Sequence, residues 1–415
     1  MTARPQLSVV VPFHERQDQL DRLLAGLDRQ RLEPDRFELV VADDGSQRAP
    51  VVEARRYATR VVRQHDAGFR AAAARNLGAR AAVGDVIAFL DQDCVPALDY
   101  LQRVAAAAVS PWSLVLGHRL HADLGGWSGD AVGSWLSGTG AGPPILDEPQ
   151  WLLEGYARTH DLTEPDPRAY QLVISAVLSM HRDLFDLLDG FDETFQAYGG
   201  EDWELGHRAL VAGADTRWLA EAVAWHDGPD LAGRSVDMRD TVEAKNAETL
   251  ALAALVPDRD LRGEHLVWGL PDIVVRLRVG GASVATLLAS VESLLAGSDA
   301  HVWADNPDAG KRLLAVVDDP RIHVGEPQPD VLARARYQVA CDPVLLAGTT
   351  LRALCRLAPV ATPGLRLTLR RDDNRAARGR PRVADQPWPA GVDVRRLSDT
   401  PALERMWQSR PMSTD

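Results

Sequence analysis

The 415-residue chain predicts an α/β protein: a first domain on a mostly parallel sheet, then a second, smaller α/β domain. Three observations predict it. Short β-branched apolar runs alternate with stretches whose apolar residues recur at helical spacing, the rhythm of strands joined by crossover helices. Two acidic pairs, Asp43/Asp44 and Asp91/Asp93, each close such a run, and in open parallel sheets ligands bind beyond the carboxyl ends of the strands. The same rhythm starts again near residue 270.

In order, Leu7 to Phe13 reads as a buried strand, followed by a helix with Leu20, Leu23, Leu24 and Leu27 on one face. Phe37 to Ala42 is a second buried strand ending in Asp43-Asp44-Gly45-Ser46, where glycine supplies the turn. A short strand at 60–63 and a helix over 71–82 carrying Arg75 and Asn76 lead to Gly84–Pro96. That run is expected to be a strand with Asp91 and Asp93 on one face of its end, where two carboxylates repel unless a cation lies between them. A hard divalent ion completed by water and phosphate meets that need; the alternative is a strand followed by a solvated acidic turn.

A helix over 98–108 and a strand near 114–116 come next. Residues 125–168 collect Gly, Pro and acids and read as a long irregular connection, a flap over the crevice in preference to a plain surface loop. Leu172 to Met180 reads as a strand and 183–188 as a short helix. Gly199-Gly200 then precede a helix whose first turn, Glu201-Asp202-Trp203-Glu204, is acidic, as the helix dipole favours. A capping role explains either acid singly, and Trp203 suits stacking on a sugar ring or core packing. Ala222 to Trp225 reads as a strand ending at His226-Asp227.

Composition narrows the classes. A formal charge of −13 speaks against general affinity for nucleic acid or anionic lipid. Three scattered cysteines form no disulfide framework or zinc pattern, which suits a reducing, cytoplasmic compartment. No signal peptide and no transmembrane segment is expected.

Together, Val9-Val10-Val11-Pro12, Val41-Ala42-Asp43-Asp44-Gly45-Ser46, Ala74-Arg75-Asn76, Leu90-Asp91-Gln92-Asp93 and Gly199-Gly200-Glu201-Asp202-Trp203-Glu204-Leu205-Gly206 resemble, in order and spacing, the family 2 glycosyltransferases of the Rossmann-like GT-A fold. The resemblance covers about residues 6–230. It implies that Asp43 and Asp44 hold the nucleoside of a nucleotide-sugar donor, with Arg75, Glu201 and Trp203 also on the donor side. It implies that Asp91 and Asp93 bind a divalent metal, Mn2+ or Mg2+, on the donor diphosphate, with His226 as a further ligand, and that Asp202, with Glu201 as its rival, is the catalytic base of an inverting transfer to an acceptor hydroxyl. His14 departs from the family's usual polar residue and receives no role. The acceptor class stays open among saccharide, lipid-linked, peptide and small-molecule substrates, and the oligomeric state is not legible. Competing readings are a sugar-nucleotide pyrophosphorylase, which the segment after the first strand does not favour, and an inert nucleotide-sugar-binding or scaffold protein.

The expected organisation is a catalytic domain over 1–256, a linker over 257–269, a degenerate GT-A-like, non-catalytic domain over 270–400 and a tail over 401–415. In the second half Ile273-Val274-Val275 parallels Val9-Val10-Val11, and Val339 to Val344 parallels Phe89 to Cys94, so that Cys341 and Pro343 stand where the metal carboxylates would be; the alternative is an unrelated α/β domain with the same strand-helix rhythm.

Overall fold

The computed structural model describes residues 4–196, 199–229, 238–263, 266–390 and 392–397, with 401, 403 and 406. The expected tail over 401–415 falls almost wholly outside the described residues. The chain divides into two units, Met1–Leu210 with Ala214–Leu252, and Val211–Gly213 with Ala253–Asp415.

The first unit runs β1 (Leu7–Phe13), α1 (Gln17–Leu27), β2 (Phe37–Asp43), β3 (Ala58–Arg63), α2 (Ala71–Ala81), β4 (Val86–Phe89), β5 (Cys94–Pro96), α3 (Tyr100–Ala107) and β6 (Ser113–Ala122). It continues with α4 (Gly129–Leu136), β7 (Ile145–Leu146), α5 (Gln150–Arg158), β8 (Leu178–His181), α6 (Arg182–Leu187), α7 (Glu201–Ala212), β9 (Asp215–Asp227) and α8 (Met238–Leu255). One nine-stranded sheet has the order β3-β2-β1-β4-β8-β6-β9-β5, with β7 beside β6. Strands β1 to β4, β6 and β9 run one way and β5, β7 and β8 the other, so the sheet is mostly parallel, as expected.

Burial explains the arrangement. β1 and β2 are buried almost throughout, because helices cover both faces of a parallel sheet. Val9 and Val11 share one core with Leu20, Leu23, Leu24 and Leu27 of α1, where truncating a leucine to alanine costs ~2–5 kcal/mol. α1 also buries a charge: Arg22 donates to Asp227 at 2.8 Å and to the Trp127 carbonyl at 3.2 Å. The exposed strand β3 closes one edge of the sheet, carrying Arg60 and Arg63, charges of the kind that discourage further pairing.

Three expectations are corrected. The run 84–96 is not a single strand: β4 stops at Phe89, and Asp91 to Cys94 form a turn closed by the Cys94 N–H on the Asp91 carbonyl at 2.9 Å. The stretch 125–168 is not an irregular flap but contains α4 and α5. There Ser128 caps α4 through the Ala131 N–H, and Val132 is buried beneath Trp127, Trp135 and Leu136; the surrounding glycines masked that spacing. Lastly, 172–180 is not one strand: short helical turns occupy 169–172 and 175–177, and the strand begins only at Leu178.

The second unit runs β10 (Ile273–Leu277), α9 (Val284–Leu295), β11 (Ala300–Ala304), α10 (Pro307–Leu314), β12 (Ile322–Val324), α11 (Pro329–Arg334), β13 (Tyr337–Cys341), β14 (Val344–Ala347), α12 (Leu351–Cys355), β15 (Val360–Thr362), β16 (Leu365–Leu369), α13 (Arg370–Ala377) and β17 (Asp393–Arg396). Its main sheet has the order β12-β11-β10-β13-β16-β15, with β10 to β13 parallel and β16 and β15 each antiparallel to the neighbour before it. Strand for strand this repeats the β3-β2-β1-β4-β8-β6 portion of the first sheet.

The sequence parallel between the two halves slips by one residue. Val9 lies beside Ala88, and Ile273 beside Tyr337, so with Val9 set on Ile273 the places of Asp91 and Asp93 fall to Ala340 and Asp342 rather than to Cys341 and Pro343. Apolar strands look alike along their length, which hides a slip that the backbone register reveals. Asp342 is bound by Arg278 and Arg396, each at 2.9 Å.

Candidate active site

Strands β1, β2, β3 and β4 deliver their carboxyl ends to one edge of the first sheet, and β1 is the point where successive strands switch from one side to the other. Such a switch opens a crevice. A cavity of about 880 Å³ lies there. Its walls include His14 after β1, Asp44 after β2, Asp66 and Phe69 before α2, Arg75 on α2, Asp91, Gln92 and Asp93 in the β4–β5 turn, Trp151 on α5, Gly199 to Trp203, and Lys245 and Glu248 on α8.

Arg75 ties the acidic elements together. Its Nη2 donates to Asp91 at 2.7 Å and its Nη1 to Glu201 at 2.8 Å, joining segments 126 residues apart in sequence. Burial works against its charge, but Asp91 and Glu201 outweigh burial and hold the proton on more firmly than usual. The Phe191 ring lies 5.4 Å from the guanidinium carbon. Among the described residues Glu201 Oε2 is buried without a hydrogen-bond partner, leaving polar capacity unspent at the cavity wall.

The turn after β2 is built from Asp43 inward. Asp43 is fully buried and accepts from the Ser46 N–H at 2.9 Å, with Arg63 at 3.4 Å. Gly45 has φ +82° and sits so close to Asp66 that a Cβ would lie 2.4 Å from its backbone, so only glycine fits. Asp44 projects to the cavity, receiving the Arg70 N–H at 2.8 Å and Gln64 Nε2 at 2.6 Å. The β4–β5 turn is pinned to β1 by Gln92, whose Oε1 accepts the His14 N–H at 2.8 Å.

Asp93 is held from behind. His226, on β9, places Nε2 3.4 Å from Asp93 Oδ2 and Nδ1 3.2 Å from the Gly228 carbonyl. Burial pulls the imidazole down, but the Asp93 hydrogen bond and charge reverse this and raise it. Asp93 moves oppositely: burial would raise it, and His226 draws it below the usual carboxylate range.

Asp202 follows Glu201 on the first turn of α7. Its Oδ1 accepts the Trp203 N–H at 2.8 Å and its Oδ2 the Ser175 N–H at 3.3 Å. Burial, and next the charge of Glu201, outweigh Arg75 and those N–H groups and lift its pKa to about 7. A carboxylate poised there can accept a proton at neutral pH without being permanently spent.

Of the nine residues singled out from sequence, Asp44, Arg75, Asp91, Asp93, Glu201, Asp202 and Trp203 line the cavity. Asp43 and His226 stand behind its wall, the first shaping a turn and the second backing Asp93.

Residues 8–139 match the family described as Glycosyl transferase family 2, and residues 162–224 match the one described as N-terminal domain of galactosyltransferase. The family 2 match falls within the first unit. The chain is 35% identical over 227 residues to validoxylamine A glucosyltransferase of Streptomyces hygroscopicus subsp. limoneus, covering 50% of this chain and 49% of that protein. It is 29% identical over 243 residues to chondroitin synthase of Pasteurella multocida (strain Pm70), covering 54% of this chain and 25% of that protein. The chain thus spans about half, or less, of the curated relatives it matches. Among solved structures, mannosyltransferase PcManGT from Pyrobaculum calidifontis in complex with GDP-Man and Mn2+ aligns with TM-score 0.40 and 16% identity, over 61% of this chain and 65% of that one.

Several wall residues of the cavity receive no role from the sequence: His14, noted only as a departure, and Phe69, Trp151, Gln171, Lys245 and Glu248. For Trp151 a signal existed, since Leu152, Gly155 and Tyr156 form the buried face of a helix that begins one residue before it. Lys245 and Glu248 carried only an unremarkable helical spacing.

Proposed function

We propose that the chain transfers a sugar from a nucleotide-sugar donor to an acceptor hydroxyl with inversion, Asp202 acting as general base. The observation that carries this reading is Asp202, with a pKa near 7, sharing one cavity with Asp91 and Asp93. The match of residues 8–139 to a glycosyltransferase family supports it, as does similarity to a glucosyltransferase.

An acceptor hydroxyl is too weakly acidic to attack unaided. Asp202 accepts its proton as the new bond to the anomeric carbon forms, a contribution of roughly 10²–10⁴-fold. The N–H groups of Ser175 and Trp203 orient the carboxylate. Arg75 locks the first turn of α7 to the β4–β5 turn, so the base and the donor-side acids keep one spacing.

Among the described residues no three His, Cys, Asp or Glu side chains gather closely enough to hold an ion by themselves. The donor set nonetheless fits a Mn2+ or Mg2+ ion that takes one or two protein carboxylates and completes its sphere from phosphate and water. Asp91 and Asp93 would hold it, with His226 backing Asp93 or joining as a ligand. When bound, such an ion stabilises charge on the departing nucleoside diphosphate. The second unit is proposed to be non-catalytic, because Asp342, at the corresponding strand end, is already neutralised by two arginines.

The test is thermal unfolding with UDP or GDP, with and without Mn2+, on the wild type and Asp93→Ala. Saturation at 100 times Kd stabilises by ~2.7 kcal/mol. Metal-dependent stabilisation is expected for the wild type and not for the variant. If neither nucleotide stabilises the wild type in the presence of metal, the reading fails.

A further inference from the structure

The second unit puts arginines near the strand ends where the first puts acids. With Val9 set on Ile273, Arg276 takes the place of Pro12 and Ala340 that of Asp91, two wall residues of the first unit's cavity. Arg276 on β10 lies beside Ala340 on β13, which lies beside Arg366 on β16. Direct neighbours across a sheet share a face, so two arginines flank a floor that carries only a methyl group. Gln338, two residues before Ala340, is on that same face. Both are only half-buried, so this part of the sheet is open to solvent.

Two guanidinium groups meet there on one neutral atom. Arg276 Nη1 and Nη1 of Arg370, the first residue of α13, both donate to Gln338 Oε1, at 2.6 and 3.0 Å. Arg370 Nε donates to the Leu332 carbonyl at 2.8 Å, one of the last-turn carbonyls of α11 that need an outside partner. Among the described residues no carboxylate bonds to Arg370. Burial, and next the charge of Arg276, work against the Arg370 charge, with Asp373 acting in its favour. Arg276 has one carboxylate, Glu326 at 3.0 Å, whose side chain is 75% exposed, and a pair so exposed holds loosely. Two like charges that share an uncharged oxygen repel each other until an anion completes the group.

We propose that Arg276, Arg370 and Gln338 form a binding site for one phosphate group, as the free ion or a monoester, on the second unit. A phosphate oxygen that takes the place of Gln338 Oε1 receives both Nη1 donors, and guanidinium forks suit phosphate oxygens. The Gln338 amide then turns over and adds its Nε2, which makes no hydrogen bond among the described residues. An amide carries an acceptor and a donor end, so one side chain fills the empty site and binds the ligand in the full one. Glu326 moves out into solvent. The two arginines supply the positive charge, so the site needs no metal ion.

The experiment titrates the full chain in EDTA with inorganic phosphate, glucose 6-phosphate and glucose by calorimetry, with ionic strength held constant by sodium chloride. Both phosphates are expected to bind and glucose is not. Tighter binding of glucose 6-phosphate assigns the site to an ester, and equal binding assigns it to the free ion. Arg276→Met should weaken phosphate by about tenfold or more. Gln338→Glu sets a carboxylate between the two guanidiniums as a built-in anion, so phosphate binding should vanish while the melting temperature in phosphate-free buffer rises. Both variants should match the wild type in their response to nucleoside diphosphate with Mn2+, a check that they fold and that this site is separate from the one in the first unit. Unchanged phosphate affinity in either variant, or no phosphate binding by the wild type, overturns the proposal.

Discussion

Replacing Asp202 by asparagine should separate stability from activity in a pH-dependent way. The folded chain raises the Asp202 pKa from 3.8 to about 7, and each pH unit is worth ~1.4 kcal/mol. The full difference would be ~4 kcal/mol, and because the partly exposed carboxylate faces an open cavity, solvent screening brings this to ~2 kcal/mol. The folded state holds this proton more tightly than the unfolded state does. Between about pH 4 and pH 7 the unfolded chain ionises first, so this group's contribution to wild-type stability falls across that window and is level above it. Asparagine cannot ionise. It keeps the Trp203 N–H bond and forfeits the longer one from Ser175, a pH-independent cost of ~1 kcal/mol.

The stability of Asp202→Asn relative to the wild type should therefore improve by ~2 kcal/mol on going from pH 4 to pH 8. Denaturant unfolding of both proteins at the two pH values measures it. Transfer rates should rise with pH through about 7 in the wild type and fall by roughly 10²–10⁴-fold in the variant. A stability difference that ignores pH would refute the electrostatic account of Asp202, and full turnover by the variant would refute its assignment as the base.

Two further perturbations probe the scaffold beneath the site. Arg75→Met leaves Asp91 and Glu201 without their shared cation and should cost ~3–5 kcal/mol in denaturant unfolding; a loss under 1 kcal/mol would mean that the bridge does not organise the cavity. Gly45→Ala forces a Cβ into the Asp66 backbone at φ +82°, so a loss of ~1–3 kcal/mol is expected, with weaker nucleoside diphosphate binding seen by calorimetry. Unchanged nucleotide affinity would separate this turn from the donor end.

Much of the site was legible because its chemistry sits where periodicity breaks. The apolar runs of β1 and β2 end in polar residues, and a strand's carboxyl end in a parallel sheet is where ligands bind; this was enough to nominate Asp44, Asp91 and Asp93. The acidic first turn after paired glycines nominated Glu201 and Asp202. What misled was local geometry. Asp91 and Asp93 converge through a turn closed on Asp91, not through strand alternation. Asp43 and Asp44 look equivalent in sequence, yet the Ser46 N–H takes the first inward and the Arg70 N–H fixes the second at the cavity wall.

The sequence by itself determined the alternation of strands and helices, the acids at strand ends and the glycines before α7, because short-range periodicity and backbone freedom are written residue by residue. Only the tertiary structure decided which acid pairs with which cation, that Arg75 spans Asp91 and Glu201, and that Trp151 and Lys245 face the same cavity as Asp202. Those outcomes depend on how distant segments share one buried volume, where a charge finds its partner by proximity and low solvent access rather than by position along the chain.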